Sequence, residues 1–169
     1  MRGGAAGGDA RRLARRITVA GLLLGIGFGG FADGIVLHQI LQWHHLLTST
    51  GDHPATTVAG LETNTLWDGV FHAFTWLAAL TGLFLLWSAM REGLRASAWR
   101  LVGLILAGWG AFNLVEGIVD HHILTIHHVK AGENQLAFDL GFLALGAGLL
   151  LAGILMARRA GPAIDRRTA

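Results

Sequence analysis

Four long apolar runs dominate the chain, at approximately residues 17–45, 64–90, 99–128 and 134–156. Each exceeds the ~20 residues a helix needs to cross the hydrocarbon core of a bilayer. The pattern therefore predicts an all-α protein, an integral membrane four-helix bundle. The first run follows arginines as a secretory signal would, but it outlasts the roughly 7–15 residues of a signal core and continues into polar residues, so it reads as an uncleaved span. Residues 1–16 are expected to form a cytoplasmic N-terminal segment and 157–169 a cytoplasmic tail. Within these, 1–10 and 161–169 read as disordered, and no separate soluble domain fits.

Composition sharpens this picture. The 169 residues suit one domain, and 14% charged residues fall well below the roughly 25% of soluble domains. The absence of cysteine excludes disulfides and thiolate metal sites. Arginines precede the first run (Arg2, Arg11, Arg12, Arg15, Arg16), fill the second turn (Arg91, Arg95, Arg100) and follow the fourth run (Arg158, Arg159, Arg166, Arg167), whereas the other two loops hold only Lys130. Positive residues stay on the cytoplasmic side, which predicts a multi-pass protein of a bacterial inner membrane with both termini cytoplasmic. These arginines are topology anchors, and no nucleic-acid surface is expected.

An internal repeat is the most informative feature. Asp33-Gly34-Ile35-Val36-Leu37-His38-Gln39-Ile40-Leu41-Gln42-Trp43-His44-His45 aligns without a gap on Glu116-Gly117-Ile118-Val119-Asp120-His121-His122-Ile123-Leu124-Thr125-Ile126-His127-His128. A weaker echo links Asn64 and Asp68 with Asn134 and Asp139 after one insertion. The bundle is thus expected to consist of two repeated helical hairpins, a parallel repeat about a pseudo-twofold axis along the membrane normal.

Continuous helix through these motifs would place His38 with His45, and His121 with His128, on stripes seven residues apart. Spacing of eleven would set Asp33 with His44 and Glu116 with His127, with Asp120 one turn from Glu116 on the same stripe. Asn64, Asp68 and His72 fall on one face of the second helix. By rise per residue, His38, His72, His121 and Asp120 lie roughly 10–12 Å below the outer boundary and Asp33 and Glu116 roughly 18 Å below it. Asp139 enters the fourth helix just below the surface.

Ionisable residues at such depth persist when paired or functional. Imidazole is the commonest metal ligand, carboxylates ligate or orient it, and bundles build metal sites from facing helices. The candidate ligands are His38, His44, His45, His72, His121, His127, His128, Asp33, Asp68, Glu116, Asp120 and Asp139. Nitrogen and oxygen donors without thiolate favour copper, iron, zinc or manganese, and so many donors suit a dinuclear site. Taken singly, each residue has a plainer reading. A lone buried histidine usually packs, His53 reads as solvated, and His122 departs from the repeat. Trp43, Trp67, Trp87 and Trp99 fit an interfacial belt, and Gly21, Gly25 and Gly29 fit close helix packing. Repetition at matched depth favours the joint reading.

Residues 33–45, Asp68-Gly69-Val70-Phe71-His72, 112–129 and 139–143 resemble the bacterial predicted-membrane-protein family of unknown function numbered 2243, over about residues 25–150. The second His-His motif is its most specific signature, and Phe138 departs from the tryptophan expected before the aspartate. The resemblance implies a four-helix membrane protein with these motif positions and supplies no activity. It also implies a link with respiratory-oxidase assembly proteins as partners, which leans toward copper. Three functions follow from the residues. The first is metal binding, for handling or assembly or in a dinuclear oxidoreductase. The second is a b-type cytochrome with histidine-ligated haem. The third is a proton or ion pathway along the acid–histidine column.

Overall fold

The computed structural model describes residues 3–161 and 164–165. Arg2, Arg166 and Arg167 lie outside them. Four helices carry the fold: α1 (Gly3–Ala32), α2 (Val58–Arg91), α3 (Ala98–Glu116) and α4 (Gln135–Arg159). α1 and α3 each run on into a π-helical segment, π1 (Asp33–Ile40) and π2 (Gly117–Ile123). Ala14–Ile40, Val58–Arg91, Ala98–Ile123 and Gln135–Arg159 are all long and apolar enough to span a membrane.

α1 packs on both α2 and α3, and α3 on both α1 and α4, so α1 and α3 form a central pair flanked by the other two. Burial agrees: 50% and 44% of the α1 and α3 spans are buried, against 17% for α2 and for α4. The outer faces of α2 and α4 carry exposed Leu66, Phe74, Phe84, Leu151 and similar residues, as a lipid-facing surface requires. Small residues allow the close central contact. A Cβ on Gly25 would lie 2.1 Å from the Ile105 carbonyl oxygen, and one on Gly108 would lie 2.2 Å from that of Leu22. Gly21 and Gly29, read from the sequence as packing positions, likewise abut Leu104 and Trp109.

The two ends of the bundle differ in character. At the arginine end an apolar core of Ile17, Ala89, Leu94, Leu104 and Ala157 is closed by an Arg16–Glu92 ion pair. At the other end the buried residues are mostly histidine and carboxylate.

Several boundaries differ from the sequence reading. The first and third helices stop at Ile40 and Ile123, not at 45 and 128. Widened hydrogen bonds, Leu41 N–H to Val36 O and Leu124 N–H to Val119 O, lead into Gln42 and Thr125, whose φ values of 50° and 49° reverse the chain. Helix α2 starts at Val58 instead of 64 because Thr57 caps it, accepting from Gly60 N–H at 3.1 Å. The expected disorder of 1–10 gives way to helix from Gly3 onward, a propagation of the membrane helix through alanine- and arginine-rich sequence. In the tail, Ile164–Asp165 (β2) pairs with Leu94–Arg95 (β1), near where Arg100 ties the end of α4 by donating to the carbonyls of Ala157 and Gly161.

Candidate metal centre

The chain reversals at Gln42 and Thr125 fold His44 and His127 back over the ends of π1 and π2. Two clusters result, Asp33–His38–His44 and Glu116–His121–His127, each with one nitrogen or oxygen per residue inside a 4.8 Å set. All six side chains are buried. The clusters touch: the His44 and His127 rings stack with centroids 4.7 Å apart and planes 6° from parallel. His38 and His121 flank that stack, with ring centroids 4.4 Å from His44 and 4.8 Å from His127 respectively.

Three of the outward nitrogens are tied down. His38 Nδ1–H donates to Asp68 Oδ1 at 2.9 Å, His44 Nδ1–H to the Val129 carbonyl at 2.9 Å, and His127 Nδ1–H to the Leu46 carbonyl at 3.2 Å. His121 Nδ1 stands 3.4 Å from Asp139 Oδ1. A carbonyl accepts only from N–H, so the neutral His44 and His127 rings keep their Nε2 lone pairs facing inward. The Nε2 atoms of His44, His121 and His127, with Glu116 Oε2, are buried without a hydrogen-bond partner, while His38 Nε2 faces Asp33 Oδ2 at 3.0 Å. Buried polar groups are otherwise almost always satisfied.

A second pair of carboxylates frames the clusters. Asp68 accepts from His38, from His45 Nδ1–H at 2.6 Å and from Leu46 N–H at 2.9 Å. Asp139 accepts from His128 Nδ1–H at 2.8 Å and from Val129 N–H at 3.0 Å. His45 and His128 are therefore turned toward these aspartates and away from the clusters. Asn64 anchors the loop above, accepting from Leu47 N–H and donating to the His53 carbonyl.

The twelve sequence candidates thus divide. Six form the two clusters, and Asp68, Asp139, His45 and His128 surround them. His72 and Asp120 join neither cluster. His72 donates Nδ1–H to the Asp68 carbonyl and packs over Gly34, while Asp120 lines a cleft beside Phe71. The stripes drawn on continuous helix fail for His44, His45, His127 and His128, which sit on loops. His44 nonetheless meets Asp33, and His127 meets Glu116, through the reversed chain. The carbonyls of Leu46 and Val129 were invisible to a reading of side chains, and buried Asn113, one turn before Glu116, was passed over because its counterpart in the repeat is Gly30.

His44 and His127 are held neutral. Burial pushes the His44 imidazole down to about 4, against the pull of the Asp33 carboxylate. His127 is pushed well below the usual range, by burial first and then by His44 and His121 beside it. Inward lone pairs on neutral rings, set among carboxylates, form a donor set for a cation.

Residues 20–160 match the family described as predicted membrane protein (DUF2243). The chain belongs to that family. No curated protein and no solved structure matches it. Family membership and the four spans together make this a multi-pass membrane protein.

Proposed function

We propose that the protein holds two transition-metal ions side by side, one in each His–His–carboxylate cluster, as a dinuclear centre with oxidoreductase character. The observation that carries this reading is the split between nitrogens: Nδ1 of His38, His44 and His127 fixed by a carboxylate or a carbonyl, Nε2 of His44, His121 and His127 buried without a partner, and Nε2 of His38 turned to Asp33. Two histidines and one carboxylate per ion leave coordination positions open, and that set suits iron(II) best. Copper, zinc and manganese are accepted by the same donors. Burial and locked ligands suit a resident centre more than a transit site for metal handling or oxidase assembly. Buried carboxylates set beside the neutral His44 and His127 rings also favour a cation, because uncompensated buried charge is costly.

Features recurring 83 residues apart support a duplicated hairpin: the positive φ of Gln42 and Thr125, and the reciprocal bonds of His44 to Val129 and His127 to Leu46. In this reading a pseudo-twofold axis passes between the stacked His44 and His127 rings. The arginine distribution supports a metal centre near the outer face of a bacterial inner membrane, with both termini cytoplasmic.

The alternatives fare less well. Rings packed 4.4–4.8 Å apart in the cluster leave no slot for a porphyrin between opposed histidines. A proton path would need polar groups toward the arginine end, where Ala20, Leu24, Leu104 and Ala107 fill the described interior.

The test is metal content after substitution. His38→Ala and His121→Ala, one in each cluster, should each lower bound metal in protein purified in mild detergent, whereas His53→Ala should retain it. Equal retention by all three variants would overturn the site.

A further inference from the structure

Two open-sided clefts flank the histidine end, one beside each cluster. The first, about 500 Å³, lies against α1, α3 and α4 and is lined by Gly29, Ala32, Asp33, Gly141 and Phe142 among others. The second, about 350 Å³, is lined by Phe112, Val115, Glu116, Phe71 and Asp120 among others. They occupy corresponding places: Gly29, Ala32 and Asp33 in one align with Phe112, Val115 and Glu116 in the other. Each cleft reaches the carboxylate of one cluster.

Their differences concern what each can hold. Gly29 and Ala32 open the first where Phe112 and Val115 narrow the second. At the rim of the first, Lys130 Nζ lies 4.9 Å from the centre of the Trp43 ring and 5.3 Å from that of Phe138. The aligned positions in the other half are Leu47 and Ile126, which offer neither cation nor indole. Lys130 is the only Lys or Arg in the two histidine-end loops, and among the described residues no carboxylate pairs with it. From Phe138 to Leu145 the cleft follows α4 inward over roughly 10 Å. An apolar trough opening sideways from a membrane span, with a cation at its interfacial end, has the chemistry of a lipid site.

We propose that this cleft binds one acyl chain of an anionic phospholipid, its phosphate at Lys130 and its chain running past Gly141 toward Asp33. The inference rests on membrane residence and the shape of the cleft, and it stands whether or not metal occupies the clusters. It gives the carboxylate of the first cluster an apolar neighbour drawn from the bilayer, while the narrower second cleft lacks a headgroup anchor.

Phosphatidylglycerol carrying a diazirine on its acyl chain tests this. The purified full-length chain, in nanodiscs, is irradiated and the crosslinks are mapped by peptide mass spectrometry. Labelling should concentrate on α1 and α4 residues lining the cleft, with and without bound metal. A Cβ at Gly141 meets open space, as does one at Gly148 outside the cleft. Gly141→Leu should therefore cut the cleft labelling several-fold, and Gly148→Leu should leave it intact, with helical circular dichroism unchanged in both. Lys130→Gln should abolish the preference for unlabelled phosphatidylglycerol over phosphatidylcholine as competitor. Labelling spread evenly over the lipid-facing surface, or indifferent to Gly141→Leu, would overturn the proposal. Competition by a free fatty acid but not by phosphatidylglycerol would overturn it too.

Discussion

Asp68 and Asp139 never reach the inward face of either cluster, yet each holds a loop histidine and a backbone N–H, and Asp68 also fixes His38 while Asp139 stands 3.4 Å from His121. Replacing Asp68 by asparagine keeps the shape but removes the charge-assisted acceptance from two imidazoles. Loss of such an outer partner typically weakens metal binding about 10–100-fold, which equilibrium dialysis of Asp68→Asn against a divalent ion should reproduce; unchanged affinity would remove Asp68 from the account. The loop histidines give a second expectation. With its folded value at about 4 and its ordinary value at 6.5, His44 binds a proton in the unfolded chain before it does so in the folded one. Between those values the unfolded state carries more protons, so stability of the metal-free protein rises with pH and falls on acidification from 6.5 toward 4. His127 acts in the same direction. Thermal unfolding followed across that window should show the slope, and His44→Gln should flatten it. A wild-type profile without slope would mean the rings are not held neutral. Metal release should come toward and below the acid end of that window, where the folded His44 ring takes up its proton and can no longer ligate.

At the scale of elements, the central helices meet through glycine. Gly108→Ala forces a Cβ against the Leu22 carbonyl oxygen, 2.2 Å away, between the two most buried helices. Overpacking of this kind costs about 1–3 kcal/mol, and denaturation in mild detergent should show it, whereas Gly69→Ala, whose Cβ meets nothing within 4 Å, should be near neutral. The helices themselves were legible, since runs of apolar residues of membrane length admit few other structures. Their ends at the histidine side were not. Helical spacing paired Asp33 with His44 at an interval of eleven, and the two do meet, but only because the chain turns back at Gln42. No glycine or proline marks that turn; glutamine and threonine carry the left-handed φ at the two reversals. A widened helical turn changes hydrogen bonds without changing the hydrophobic pattern, so the sequence text carries little trace of it. His72 and Asp120 join neither cluster, since a helical face says which residues share a direction, not how far each side chain reaches.

For the whole molecule, an apolar core at one end and a buried acid–histidine core at the other make a bundle whose stability and chemistry are housed separately. The central pair leads into the carboxylates, Asp33 at the start of π1 and Glu116 at the end of α3, while α2 and α4 supply the aspartates beside the rings. Each hairpin completes the other's cluster, since His44 relies on the Val129 carbonyl and His127 on that of Leu46. The two ions are accordingly expected to bind interdependently, so that losing one cluster weakens the other. The most direct test of the central claim is the metal stoichiometry of the wild-type protein. Protein purified in mild detergent without added metal is analysed by elemental mass spectrometry, with its absorption spectrum alongside. The account predicts two transition-metal ions per chain, one for each cluster, and no Soret band. Protein that carries no metal and takes up none when ions are supplied, or one that carries haem instead, would contradict it.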